Sequence, residues 1–154
     1  MRRKSMWGEK KKWIYYCGVL IMGLWFSVLK FDWFLSKPPY PHSVVIGNTR
    51  YALEIADTDK ERARGLSGRE SLCQYCALLF VFPEKGQWAF WMKDMRFSID
   101  ILWFSGDTLV GIERNLSPSS KDIFRPAEVV DRVIEINAGS ATDFHVGDTV
   151  RYEY

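Results

Sequence analysis

The chain has 154 residues, 47% of them hydrophobic and 16% aromatic, with 21 Lys and Arg against 19 Asp and Glu. That length sets a prior of one domain, and the aromatic content with a small net charge excludes low-complexity disorder. The formal charge of +2 hides a split: residues 1–12 hold six basic side chains against Glu9, a charge of +5, which leaves −3 on the rest. The mildly acidic body gives no support to a nucleic-acid partner, which needs a basic face on the folded part.

From Trp13 to Leu29 no residue is charged. At the helical rise this run reaches about 25 Å, and Phe31, Trp33, Phe34 and Leu35 extend it toward the roughly 30 Å of a bilayer core. Lys30 can snorkel, and Tyr15, Tyr16 and Trp33 suit the interfacial aromatic belts. Residues 13–35 are therefore expected to be a transmembrane signal anchor. The basic residues 1–12 precede it, so they should stay cytoplasmic and the chain beyond should lie outside the cell membrane. A cleaved signal peptide is the alternative, but it wants small residues at its cleavage site, and the first alanine is Ala52. Residues 36–41 carry three prolines, Pro38, Pro39 and Pro41, and read as an extended spacer. The folded module is then residues 42–154, with 13 Lys and Arg against 17 Asp and Glu.

Within it, Val44–Ile46 and Tyr51–Ala56 read as strands around Gly47-Asn48-Thr49, the second with strict alternation of Tyr51, Leu53 and Ile55. Thr58-Asp59-Lys60-Glu61 is a capping box that opens a short helix, and Gly65 can close it. Leu78–Phe82 is an apolar run stopped by Pro83, hence a buried strand. Trp88–Met92, Ile99–Phe104 and Thr108–Ile112 are expected strands, the last two joined by the turn Ser105-Gly106-Asp107. Ser117–Pro126 is polar and irregular, and is expected to be a mobile loop. Val129–Asn137 returns to alternation, Ser140–Asp143 suits one helical turn, and Thr149–Tyr154 is a last strand. The fold class is α+β and mostly β: a small curved sheet or open barrel with one or two short helices.

Several of these segments together are familiar. They are Arg62-Ala63-Arg64-Gly65-Leu66 with Arg69, Leu78-Leu79-Phe80-Val81-Phe82, Phe90-Trp91-Met92-Lys93-Asp94, Ile99-Asp100-Ile101-Leu102-Trp103-Phe104, Val133-Ile134-Glu135-Ile136-Asn137-Ala138-Gly139 and Gly147-Asp148. In this order and spacing, over about residues 44–154, the chain resembles the DUF192 family, also called UPF0127. The resemblance implies a small β-rich domain, often preceded by a signal sequence or membrane anchor. It implies no established activity and no catalytic residues. Asp94 stands where the family commonly has Asn, and paired cysteines before the core strand are not part of its pattern.

Each candidate site has a plainer reading beside it. Cys73 and Cys76 form a lone CxxC without the partners of a four-ligand zinc site or the context of a thioredoxin-like redox motif, so no metal is assigned. They read as a tight disulfide, or as two free thiols where no oxidant is present. Trp91, Met92 and Met95 could line an apolar groove, but core packing is the commoner use of such residues. Glu135 is expected at a solvent-facing strand position. Arg62, Arg64 and Arg69 could form an anion site, with Arg62 readily explained as helix surface. Asp100 lies in a strand with two apolar faces, so an ionised carboxylate there needs a partner. Arg64 is the expected one, because its fork suits a carboxylate.

No Ser-His-Asp or Cys-His pair, phosphate loop or trusted carboxylate pair is present. The leading expectation is a membrane-anchored binding or envelope-support module without chemistry of its own and without a cofactor. Its partners would be the membrane through residues 13–35 and an envelope ligand or protein. Arg64, Trp91, Lys93, Asp94 and Asp100 are its candidate binding or buried polar site. The first alternative is a hydrolase acting on an envelope component through Asp100 or Asp94 with Lys93 and an arginine. The second is a thiol redox protein using Cys73 and Cys76.

Overall fold

A computed structural model describes residues 40–154. The basic tail at 1–12, the apolar span at 13–35 and the first four residues of the spacer at 36–41 lie outside the described residues. No helix among those described is long and apolar enough to cross a membrane.

Among the described residues nine strands and one helix follow in chain order: β1 (Ser43–Ile46), β2 (Thr49–Ala56), α1 (Asp59–Arg64), β3 (Cys76–Gly86), β4 (Phe90–Trp91), β5 (Ile99–Ser105), β6 (Thr108–Leu116), β7 (Ile123–Phe124), β8 (Val130–Asn137) and β9 (Val150–Glu153). Seven strands form one sheet in the order β6-β5-β8-β3-β2-β1-β9, while β4 and β7 pair as a separate ribbon. All neighbours in the large sheet are antiparallel except β2 and β3, whose parallel connection carries α1. A bridge between Thr108 and Thr149 joins the two edges of the sheet at one end, so the sheet curls into a half-barrel. The expected mostly-β curved sheet is present, with one short helix.

Alternation assigns each strand two faces. One face gathers Val44, Ile46, Tyr51, Leu79, Leu102, Phe104, Ile134, Ile136 and Phe144. The other gathers Leu78, Phe80, Ile99, Ile101, Trp103 and Val133 with Leu66 and Met92 from the segments packed over it. Both faces of β5 are covered, and its first six residues are all buried.

Local signals place α1. Thr58 caps it, accepting from the Glu61 backbone N–H at 3.2 Å, while the Glu61 carboxylate accepts from the Thr58 backbone N–H at 3.1 Å. Gly65 ends it at φ 49°, a conformation costly for any residue with a Cβ.

Several boundaries differ from the sequence reading. Pro83 does not stop β3, which runs on to Gly86. The register against β8 shifts between Val81 and Gly86, and Pro83 sits exposed in that irregular stretch, where no ladder bond needs its missing N–H. The segment expected as strand from Trp88 to Met92 shortens to Phe90–Trp91. The polar stretch at 117–126 is not simply a loop: Ile123 and Phe124 form β7 and pair with Trp91 and Phe90. Ser140–Asp143 forms turns rather than helix.

Cys73 and Cys76 are joined by a disulfide just before β3. Asn137 donates from Nδ2 to the Leu72 and Cys73 carbonyls at 3.1 and 3.0 Å, so the loop is also tied to the end of β8. The bridge closes a very short loop, and replacing both cysteines with Ser should lower stability by less than the roughly 3 kcal/mol of a 15-residue loop. Chemical denaturation of the double variant against wild type checks this.

Candidate functional site

The carboxylate expected to seek an arginine finds backbone instead. Opposite Asp100, β6 carries a bulge: Ile99 pairs with Leu116 and Ile101 with Glu113, which leaves Arg114 and Asn115 to face one residue. Asn115 takes φ 55°, and its backbone N–H, turned off the ladder, donates to Asp100 Oδ1 at 2.7 Å. Asp100 Oδ2 accepts from the backbone N–H of Ala141 at 3.0 Å. Asp100 is fully buried and joins the bulge to the turn after β8. The expected pair with Arg64 does not form, because the two occupy opposite faces of the sheet. Asp100 faces the side of Ile136 and Leu102, whereas Gly65, next to Arg64, packs against Phe80 on the other.

That other face carries a cleft of about 250 Å³ between the end of α1, β3 and the β4–β7 ribbon. Its walls are aromatic. Phe82 and Trp88 stack with centroids 4.4 Å apart, and Phe90 meets Phe80 edge-on at 4.9 Å and Trp103 at 5.1 Å. Trp88 is fixed by its Nε1–H, which donates to the Val130 carbonyl at 3.1 Å. Trp91 forms part of the lining and is 52% exposed, so it stands at the rim.

Glu135 contributes a carboxyl to this apolar lining. It is 5% exposed, and its Oε2 has no hydrogen-bond partner. Burial pushes its pKa up from 4.5 to about 8, against a smaller opposing pull from the Arg69 guanidinium. At neutral pH it therefore holds its proton and can donate a hydrogen bond. Arg69 is itself occupied by Glu54, bound through two bonds of 2.7 and 2.8 Å that hold the Glu54 carboxyl below its ordinary pKa. The expected solvent-facing position of Glu135 is thus overturned. Alternation correctly places it with Val133, but α1 and the loop behind it cover that face.

Gly65 lets the end of α1 lie close to the carboxyl. A Cβ there would lie 3.2 Å from the Phe80 ring and 3.8 Å from Glu135 Oε2, on a backbone with φ +49°. Gly65→Ala is expected to cost about 1–3 kcal/mol through backbone strain alone and to narrow the cleft, as thermal unfolding and ligand titration would show.

The three arginines have separate fates. Arg62 is committed: it donates to the Asp57 carbonyl and, at 2.8 Å, to the Val81 carbonyl, pairs with Asp59 and lies 5.4 Å over the Phe82 ring. Arg69 is held by Glu54. Arg64 is exposed at the cleft mouth, and its side chain makes no hydrogen bond or ion pair within the described residues. It also borders a second depression, with Glu54, Glu61 and Arg69, on the far side of Gly65.

Of the residues expected at a site, Arg64 and Trp91 meet at this cleft, and Met95 joins them. Met92 is buried in the core at 2% exposure. Lys93 is exposed and outside the cleft lining. Asp94 borders a shallow open depression with Ser67, Gly68, Met95 and Arg96. Its φ of 57° is one that, after Gly, Asp and Asn tolerate best, which accounts for Asp where the family commonly carries Asn. The Lys93 and Asp94 carbonyls accept from Ser67 Oγ and the Gly68 N–H, both at 2.8 Å, fastening the loop after α1. Among the described residues no three His, Cys, Asp or Glu side chains gather where a metal could be held.

The family model for DUF192, described as an uncharacterized ACR, matches residues 42–152. The chain belongs to the DUF192 family. It is similar to a Sinorhizobium meliloti protein described as a "putative transcription regulator", with 25% identity, a TM-score of 0.67, and coverage of 76% of this chain and 98% of that one. It is also similar to a Novosphingobium aromaticivorans protein of unknown function, with 27% identity, a TM-score of 0.68, and coverage of 71% and 83%. No curated protein matches the chain. DUF192 membership thus accounts for the β-rich module from β1 to β9 and leaves the role of the cleft to its chemistry.

Proposed function

We propose that this DUF192 domain is a binding module, tethered by residues 13–35 and displayed outside the cell membrane, that takes a small ligand from the envelope into the Glu135 cleft. The observation that carries this reading is the unpartnered Glu135 carboxyl set among Phe80, Phe82, Trp88 and Phe90. A buried polar group without a partner is costly in a folded chain, and a ligand that supplies the missing hydrogen bond recovers that cost. A concave, mainly apolar pocket with one or two placed polar groups is the common form of a small-molecule site. The cleft is smaller than the roughly 300–1,000 Å³ of drug-sized sites, which suits a ligand of one ring.

The regulator description of the Sinorhizobium protein is not carried over, since residues 42–154 have 13 Lys and Arg against 17 Asp and Glu. A thermal-shift screen of the full-length protein against envelope glycans, lipids and peptides tests the binding reading. A true ligand at a hundred times its dissociation constant adds about 2.7 kcal/mol of stability, and Glu135→Leu should remove the gain. Hits that are indifferent to Glu135→Leu would contradict it. The topology has its own test: a reporter fused after Tyr154 should be active only when exported.

A hydrolase is the second reading, and the raised pKa of Glu135 favours it, because a protonated carboxyl in a cleft suits a general acid. Glu135 then takes the place proposed from sequence for Asp100 or Asp94 with Lys93. Both Asp100 oxygens are already engaged by backbone N–H groups, and Lys93 and Asp94 lie outside the cleft lining. Turnover of a screened ligand, lost in Glu135→Gln while binding persists, would favour the enzyme.

A further inference from the structure

The chemistry of the cleft narrows its ligand, given the binding reading above. Two polar groups of the lining are left without a hydrogen-bond partner for their side chains. One is Glu135, on the lining and without a hydrogen-bond partner at Oε2. The other is Arg64 at the mouth, exposed and unpaired within the described residues. Between them lie flat aromatic surfaces.

The charges around the cleft choose the sign of the ligand. Arg62 and Asp59 neutralise each other at the mouth, and Arg69 and Glu54 do so behind Glu135. With Glu135 holding its proton, Arg64 is left as the one charge of the lining whose side chain has no ion-pair partner among the described residues. A guanidinium offers carboxylate or phosphate oxygens a two-pronged bond, and beside an apolar cleft that bond is screened less than on open surface. A cationic ligand could stack on the aromatic walls, but it would meet Arg64 on entry. The cation position over Phe82 is already filled by Arg62.

We infer that the cleft takes a small anion built on one ring. The ring lies among Phe80, Phe82, Trp88 and Phe90, a hydroxyl or carbonyl oxygen at its inner end accepts from Glu135, and its carboxylate or phosphate pairs with Arg64. The ring can be aromatic or a sugar, since either presents a flat apolar surface with oxygens at its edge.

Titration calorimetry on the full-length protein separates the parts of this assignment. The aromatic probes are 4-hydroxyphenylacetate, the isosteric neutral 4-hydroxyphenylacetamide and the cation tyramine. The sugar probes are glucuronate, glucose and glucosamine. In the series that fits, the anion should bind about tenfold tighter than its neutral and cationic counterparts, the ratio expected of one charge-assisted hydrogen-bonded contact. Arg64→Gln should bring the anion down to the level of the neutral probe without changing the latter. Glu135→Leu should weaken anion and neutral probe alike. Binding by the cation as tight as by the anion, or an anion preference that survives Arg64→Gln, overturns the inference while the cleft stands as a binding site. If no probe in either series binds in a Glu135-dependent way, the inference and the binding reading both fall.

Discussion

Asp100→Ala should cost about 2–6 kcal/mol of stability, because it strands two buried backbone N–H groups at about 1–3 kcal/mol each. The donors are Asn115, turned off the ladder by the β6 bulge, and Ala141 in the turn after β8. Asp100→Asn should fall between wild type and Ala, since an amide keeps one acceptor and points a second donor at an existing one. Arg64→Ala should stay within about 0.5 kcal/mol of wild type, as an exposed side chain without a structural partner does. Urea unfolding midpoints of the three variants check this. A large loss in Arg64→Ala would restore the arginine pair that the sequence suggested. A small loss in Asp100→Ala would mean that the bulge and the turn find other acceptors or water.

Glu135→Gln should stabilise the protein, and only above the ordinary carboxylate pKa of 4.5. The group is an acid whose folded pKa is raised, from 4.5 to about 8. Below pH 4.5 the folded and unfolded chains both carry the proton, so ionisation adds no cost. Between 4.5 and 8 the unfolded chain releases the proton while the folded chain keeps it, and stability falls by about 1.4 kcal/mol per pH unit. Above 8 both forms are ionised and the full cost stands. Gln has no proton to lose, so the variant should match wild type near pH 4 and exceed it by about 3–5 kcal/mol by pH 8. Parallel unfolding curves for the two proteins across that range would show that burial does not disfavour the Glu135 charge. Most side chains in a core are selected for stability, and a carboxyl that costs it points to a use.

The legibility of this molecule in its sequence follows the range of each signal. The two ends of α1 were readable because Thr58, Glu61 and Gly65 act within about two turns. The burial of Asp100 was readable from Ile99, Ile101, Leu102 and Trp103, which make both faces of β5 apolar. Its partners were not, because backbone N–H groups carry no letter, and the bulge that frees one of them is a property of pairing between strands. Glu135 was missed for a related reason. Alternation says which residues share a face, but what covers that face comes from α1, some 70 residues earlier, and from the β4–β7 ribbon. A signal was there: Val133, Ile134 and Ile136 make β8 apolar on both sides, the same pattern that placed Asp100 inside. The aromatic walls were similarly scattered, since Phe80, Trp88 and Phe90 converge only once Phe90 pairs with Phe124. The family resemblance, carried by contiguous motifs, was legible throughout and agrees with the match at residues 42–152.

The Glu135 carboxyl keeps its proton at neutral pH inside an aromatic cleft. Carbon-detected NMR of the Glu135 side-chain carboxyl across a pH titration reads that state directly. The expected midpoint is near 8, well above the ordinary glutamate value of 4.5. A midpoint near 4.5 would mean an ionised, solvated or paired Glu135, and would contradict both the cleft as built here and the hydrogen bond that Glu135 is assigned to donate.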